Sequence, residues 1–225
     1  MNIPTYLHKN RIKNQYKILE IFFCICLSLF IILTSIRITL IFKPLYYFDI
    51  QYLNIEHQSG FSKDEIIKNY DFIIKYFSNP KVQEFKLPSI PYSRYGQIHF
   101  REVKKIFTSI DILIVLIGIT ILPCIIIHIR HKKFYFLKLT SSILILPPII
   151  LSIIFLINFN TSFIIFHKIF FSNDYWQFDP NLDPIIKILP QQFFLHASLL
   201  IILLLFLTSI ALRILYKRLN IKSIF

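Results

Sequence analysis

Four apolar stretches, Ile18 to Phe42, Ile106 to Ile129, Phe134 to Ile157 and Phe193 to Leu215, are each long enough as helices to cross a lipid hydrocarbon core, which takes about 20 residues for roughly 30 Å. In lipid every backbone amide must find its partner inside the protein, so such stretches fold as helices. A chain of 225 residues carrying four of them is expected to be an all-α membrane protein, a single integral domain over residues 1–225. Its mean hydropathy of +0.61 excludes an ordinary water-soluble domain. The first stretch is longer than the apolar part of a cleaved export signal, and no small-residue cleavage site follows it, so it is expected to stay attached.

The basic residues set the orientation. Lys9, Arg11, Lys13 and Lys17 precede or open the first stretch; Arg130, Lys132, Lys133 and Lys138 surround the short link between the second and third; Arg213, Lys217, Arg218 and Lys222 lie at or beyond the end of the fourth. In those segments only Glu20 is acidic. The positive-inside rule therefore puts both termini and the short link in the cytoplasm, and the two larger loops, about residues 43–105 and 158–192, outside. The net charge of +13 is read as this orientation signal, and no nucleic-acid partner is expected. Gly60, Gly96 and Gly118 stand alone, which excludes a glycine-rich phosphate loop. Cys24, Cys26 and Cys124 lie in apolar runs and form neither a disulfide framework nor a metal knuckle.

The first outer loop carries one clear helix signal. Ser62 and Glu65 make a capping box, and Ile66, Ile67, Tyr70, Ile73, Ile74 and Phe77 follow on one face until Asn79-Pro80 ends the run. This amphipathic segment is expected to lie on the membrane or cover the bundle. Pro88 and Pro91 make Phe85 to Tyr95 extended and irregular, leading into a helix that begins near Gln97, with His99 in its first turns. The second outer loop opens on a polar break from Asn158 to Ser162. It continues as a short apolar run, Phe163 to Phe171, around His167, too short to span. A polar rim with Asp174, Trp176, Asp179 and Asp183 follows.

Ionisable groups at membrane depth are costly unless paired or wet. Arg37, Asp111, His167 and His196 all fall at the outer-leaflet level, and Arg37 is expected to pair with Asp111. There is no HExxH or GxSxG, and no cysteine in either outer loop, so a helix-borne zinc protease and an enzyme-supplied oxygen or sulfur nucleophile are disfavoured. The outward histidines, His57, His99, His167 and His196, remain. Two imidazoles beside one reacting centre suit acyl transfer between groups that the substrate carries itself: one takes a proton from an attacking amine and the other protonates a leaving alkoxide.

From Phe166 through Asp183 to Phe194, the sequence resembles the bacterial four-span integral membrane family that contains the lipoprotein intramolecular transacylases. The block SRYGQIHFREVKKIF, Ser93 to Phe107, is similar to the same family, as is the Asn69-Tyr70 pair. The resemblance implies transfer of the sn-2 ester-linked acyl chain of a diacylglyceryl lipoprotein to the α-amine of its own amino-terminal cysteine, giving the lyso-form lipoprotein. It implies a catalytic pair at His99 and His167. The substrate partners are then membrane lipid and lipoprotein, with no metal, no cofactor and no obligate protein partner. The enzyme would sit in the bacterial cytoplasmic membrane with its site on the extracytoplasmic side. The helix dipole leans towards His99 as base. Arg94, Asn173 and backbone amides of the Asn173 to Trp176 turn are oxyanion candidates; Asp174, Trp176, Asp179, Arg37 and Asp111 are substrate-binding candidates. Pro123 and the Pro147-Pro148 pair are placed to open lateral access for acyl chains.

Two other readings compete. A metal-dependent membrane hydrolase would use His99, His167 and Asp174 or Asp179 as ligands. A non-enzymatic four-span assembly or transport protein would need a polar path across the bilayer, whereas the inner halves of the spans offer little beyond Ser28, Thr140 and Ser141.

Overall fold

The computed structural model describes residues 5–81 and 84–222, and those residues are helical apart from their connections, with no strand among them. In chain order the helices are α1 (Thr5–Ile41), α2 (Lys43–Tyr52), α3 (Ile55–Ser59), α4 (Lys63–Ser78), α5 (Arg94–Arg130), α6 (Tyr135–Leu144), α7 (Leu146–Phe170), α8 (Ile185–Ile188) and α9 (Gln191–Lys222). Four segments have the length and apolarity to cross a membrane: Tyr16–Ile41, Arg94–Arg130, Tyr135–Phe155 and Gln191–Asn220. Isoleucines and leucines such as Ile112, Leu116, Ile119 and Leu122 stand exposed along α5. An apolar surface that no protein covers is the one lipid would solvate.

The third span differs in detail from its expectation. It bends after Leu144, ahead of Pro147-Pro148, and α7 then continues past the expected end. At Asn158 the backbone leaves helical geometry (φ −169°, ψ 106°), and helix resumes through His167. The freed Asn158 side chain caps the new start, its Oδ1 accepting from the Thr161 amide at 3.0 Å. The polar break seen in the sequence is thus a local helix restart. By contrast α5 runs through Pro123 without interruption.

Residue contacts divide the chain into two compact units. The first comprises residues 1–34, 113–150 and 203–225. Its core gathers Phe23, Cys24, Leu27, Ile121, Phe136 and Leu137, with His128 stacked on Phe23 at 5.0 Å. Its few polar groups are satisfied locally: Ser28 Oγ donates to the Cys24 carbonyl and Ser209 Oγ to the Ser141 carbonyl, each at 2.7 Å.

The second unit, residues 35–112 and 151–202, holds the loops and their flanking helix ends. Ser62 caps α4 as its capping box predicts, accepting from the Glu65 amide, and Ile66, Tyr70, Ile73, Ile74 and Phe77 form a buried face. That face packs with Tyr46 and Ile50 of α2, Ile55 of α3, Phe85, Leu87 and Ile90 of the extended segment, and Ile185 and Ile188 of α8. Asn69, fully buried, pins the extended segment to α4. Its Nδ2 donates to the Glu65 carbonyl and Ser89 Oγ at 2.8 Å, while its Oδ1 accepts from the Ser89 and Ile90 amides at 3.4 Å. Tyr46 stacks on Tyr70 with ring centroids 3.7 Å apart and donates its hydroxyl to the Ile188 carbonyl at 2.6 Å.

Candidate active site

His99 enters the site from the beginning of α5. That helix starts at Arg94, three residues before the sequence suggests, because Ser93 is its cap: Ser93 Oγ accepts from the Gly96 amide at 3.0 Å. Asp183, buried from the second loop, holds the cap in turn. Its Oδ1 accepts from the Ser93 amide at 2.8 Å and its Oδ2 from the Ser93 hydroxyl at 2.7 Å. Gly96 is required here, since a Cβ at that position would collide with the Asp183 carboxylate. His99 follows one turn later and is 7% exposed.

His167 comes from the last turn of α7, beyond the Asn158 restart, and is 9% exposed. The two imidazoles face each other with ring centroids 6.0 Å apart and planes inclined by 34°. His167 Nδ1 lies 2.7 Å from the Phe163 carbonyl oxygen. A carbonyl only accepts, so Nδ1 carries the proton and the neutral ring presents a lone pair at Nε2. Burial pulls His167 below the ordinary imidazole range, partly opposed by that carbonyl bond. Trp176 covers the ring, stacked at 4.7 Å and 29°, and Phe171 lies 4.7 Å from His99 and 5.7 Å from His167.

Both histidines line one apolar cavity of about 360 Å³, together with Ile36, Leu40, Tyr70, Ile74, Phe77, Val103, Phe159, Phe163, Trp176, Phe178 and Phe193. That size lies in the range of small-ligand sites, roughly 300–1,000 Å³. Within this apolar shell, His99 Nδ1 and Trp176 Nε1 are buried with no hydrogen-bond partner among the described residues. An unmet buried polar atom costs about 1–3 kcal/mol, so each of these has reason to engage a polar group of an occupant.

The other candidate residues are distributed unevenly. Asn173 lies in the turn after α7, where its Nδ2 donates to Glu102 Oε1 at 2.8 Å and its Oδ1 accepts from the Tyr175 amide at 3.1 Å. Arg94, Asp174 and Asp179 are exposed and do not line the cavity. Asp174 Oδ1 accepts from Gln177 Nε2, and Asp179 Oδ1 from the Asn181 amide, both within the loop. Among the described residues no group of three His, Cys, Asp or Glu side chains could hold a metal ion, so the two histidines lack the carboxylate that a two-histidine, one-carboxylate site needs.

Arg37 and Asp111 pair as expected, Nε to Oδ1 at 2.7 Å, and Arg37 Nη1 also reaches Ser78 Oγ at 3.4 Å. Neither lines the cavity. If the pair is a tie between α1 and α5, Arg37→Asp or Asp111→Arg alone lowers the thermal midpoint in detergent. The double exchange then recovers most of the loss and leaves activity intact.

His196 has a partner that sequence spacing did not suggest. Its Nδ1 lies 2.7 Å from Oδ1 of the fully buried Asp49, 147 positions away.

The family model for the lipoprotein intramolecular transacylase Lit matches residues 21–194. The membrane integral lipoprotein intramolecular transacylase Lit from Bacillus cereus superposes with a TM-score of 0.90 at 36% identity, covering 94% of this chain and 98% of that one. Two variants of that protein, one with a histidine replaced by arginine and one by alanine, superpose with TM-scores of 0.82 and 0.85 at 36% and 35% identity. They cover 97% and 96% of this chain, and 97% and 98% of theirs. No curated protein sequence matches.

Proposed function

The chain belongs to the lipoprotein intramolecular transacylase family Lit, and from that membership we propose how its two buried imidazoles carry out the transfer. It is a membrane-integral acyltransferase whose reaction is intramolecular acyl transfer within a lipoprotein. The acyl chain leaves the sn-2 ester of the diacylglyceryl group and is received by the α-amine of the amino-terminal cysteine of the same molecule. The observation that carries this reading is the placement of two buried histidines, 6.0 Å apart, on the wall of a single apolar cavity. Apolar walls suit an acyl chain, and the histidines are the titratable groups among the residues that meet it, apart from the phenol of Tyr70.

In the proposed mechanism the substrate nitrogen attacks the ester carbonyl, forming the amide C–N bond, and the C–O bond to glycerol breaks. One proton leaves the nitrogen and one arrives on the glycerol oxygen. His167 suits the base role, because the Phe163 carbonyl holds its proton at Nδ1 and leaves Nε2 free to accept. That reverses the lean drawn from the helix dipole and gives His99 the return: one nitrogen of its neutral ring donates to the departing oxygen while the other takes over the proton gathered by His167, so both rings end neutral. Trp176 Nε1, a donor without a protein partner on the cavity wall, is the donor we assign to the developing oxyanion. Amine and ester in one bound molecule provide proximity, so no covalent acyl-enzyme is required. The orientation that the basic residues imply, with the two larger loops extracytoplasmic, suits chemistry at the depth of a lipoprotein's glycerol esters.

A pH dependence follows from the lowered His167. Its neutral form is the working one and persists below the ordinary imidazole value of about 6.5. Once the titration of the substrate amine at about 8 is divided out, since only the neutral amine attacks, the remaining enzyme-borne decline should lie beneath about 6.5, as protonation removes the base. An enzyme-borne decline centred at or above the ordinary imidazole value would contradict the assignment of His167.

The reading as a whole is tested by mass spectrometry of lipoprotein amino-terminal peptides from a host lacking the chain, with and without its expression. Appearance of the lyso-form on expression is expected. Persistence of the diacyl form in both cultures would overturn the reading.

A further inference from the structure

Glu102 lies one turn beyond His99 on α5. Its Oε1 accepts from Asn173 Nδ2 at 2.8 Å, across 71 positions of sequence. Asn173 opens the turn that runs through Asp174 and Tyr175 to Trp176, and its Oδ1 accepts from the Tyr175 amide at 3.1 Å, closing that turn on itself. Trp176 then lies stacked on His167 at 4.7 Å. A continuous mechanical path thus runs from a carboxylate on the helix of one histidine, through one amide side chain, to the indole that covers the other. A second tie, the stack of Tyr95 on Tyr175 at 4.6 Å and 20°, joins the same helix to the same turn further out.

We propose that Glu102 is a positioning residue of the transfer site, holding Asn173 so that the turn lays Trp176 against His167. Its role is mechanical and does not depend on the negative charge, because the contact needs only an oxygen acceptor at the end of a side chain of this length. The activity part of this inference rests on the acyl-transfer reading; the placement of Trp176 does not.

Trp176 is the single tryptophan of the chain, so its intrinsic fluorescence reports on this turn alone. In purified protein in detergent, Glu102→Ala should move the emission to longer wavelength and open the indole to iodide quenching. It should also slow conversion about tenfold to a hundredfold, the cost of a displacement on the order of 1 Å at a reacting centre. Glu102→Gln retains an acceptor for Asn173 and should keep wild-type emission and most of the rate. Asn173→Asp sets two carboxylates against each other and should behave as Glu102→Ala does. Combined with Glu102→Gln it should recover, since the amide introduced at 102 can donate to the carboxylate introduced at 173. The recovery also guards against a variant that merely folds badly.

Unchanged emission in both Glu102→Ala and Asn173→Asp would overturn the proposal. So would a Glu102→Gln variant as slow as Glu102→Ala with wild-type emission, which would mean that the charge itself is used. Should the wild-type protein make no lyso-form, the acyl-transfer reading falls, while the emission series still decides whether Glu102 sets the turn.

Discussion

Replacing either His99 or His167 by alanine lowers the rate of lyso-form production by about 10²- to 10⁴-fold, the usual contribution of a positioned acid or base. Replacing both costs little more than replacing one. The near-equality of single and double variants follows from geometry. The rings are 6.0 Å apart on one cavity wall and act on the same proton inventory, one accepting and one returning, and residues that act as a unit show such non-additivity. Each alanine also opens space in an aromatic shell of Phe163, Phe171, Trp176 and Phe178. His→Gln or His→Asn at the same sites, which keep volume and a polar edge, should therefore fall nearly as far if the chemistry lies in the imidazoles. The measurement is the initial rate of conversion of a diacylglyceryl lipoprotein by purified variants in detergent, followed by mass spectrometry. Wild-type rates in the double variant would remove both residues from the mechanism while leaving the family's reaction standing.

How much of this was legible in the sequence depends on how local each signal is. The four spans announce themselves because lipid demands about 20 consecutive apolar residues, a pattern confined to one segment. The cap of α4 and the interruption at Asn158 are equally local, each written in a few adjacent residues. α2, α3 and α8 went unseen: α2 is ten residues long and rich in aromatics, and the other two are five and four. Helices that short have no stability of their own and exist because packing holds them. The same distinction divides the site. His99 and His167 are legible through a motif resemblance and their depth, whereas the contacts of Glu102, Asp49 and Asp183 are not. Their partners Asn173, His196 and Ser93 lie 71, 147 and 90 positions away. Only Asp183, written into a loop as a rim residue, could be mistaken for a solvated carboxylate, and in the structure it is 3% exposed.

That burial makes Asp183 a structural residue of the site. Asp183→Ala leaves the Ser93 amide and hydroxyl without their acceptor at the start of α5, losing two hydrogen bonds to a carboxylate. Bonds to charged groups are worth about 1.5–3 kcal/mol each, so a destabilisation of about 3–6 kcal/mol is expected, with the helix start that aims His99 loosened. Gly96→Ala reaches the same end from the other side, because the added Cβ drives the carboxylate off Ser93. The two changes should not add. Once Asp183 is alanine the collision is gone, and alanine at a helical position is favoured over glycine by about 1 kcal/mol, so the double variant should be no less stable than Asp183→Ala alone. Apparent unfolding midpoints in one detergent, read as a double-mutant cycle, give the coupling directly. Additive losses would mean that Gly96 is needed for some reason other than the approach of Asp183. A midpoint unmoved by Asp183→Ala would show that the Ser93 cap holds α5 without it.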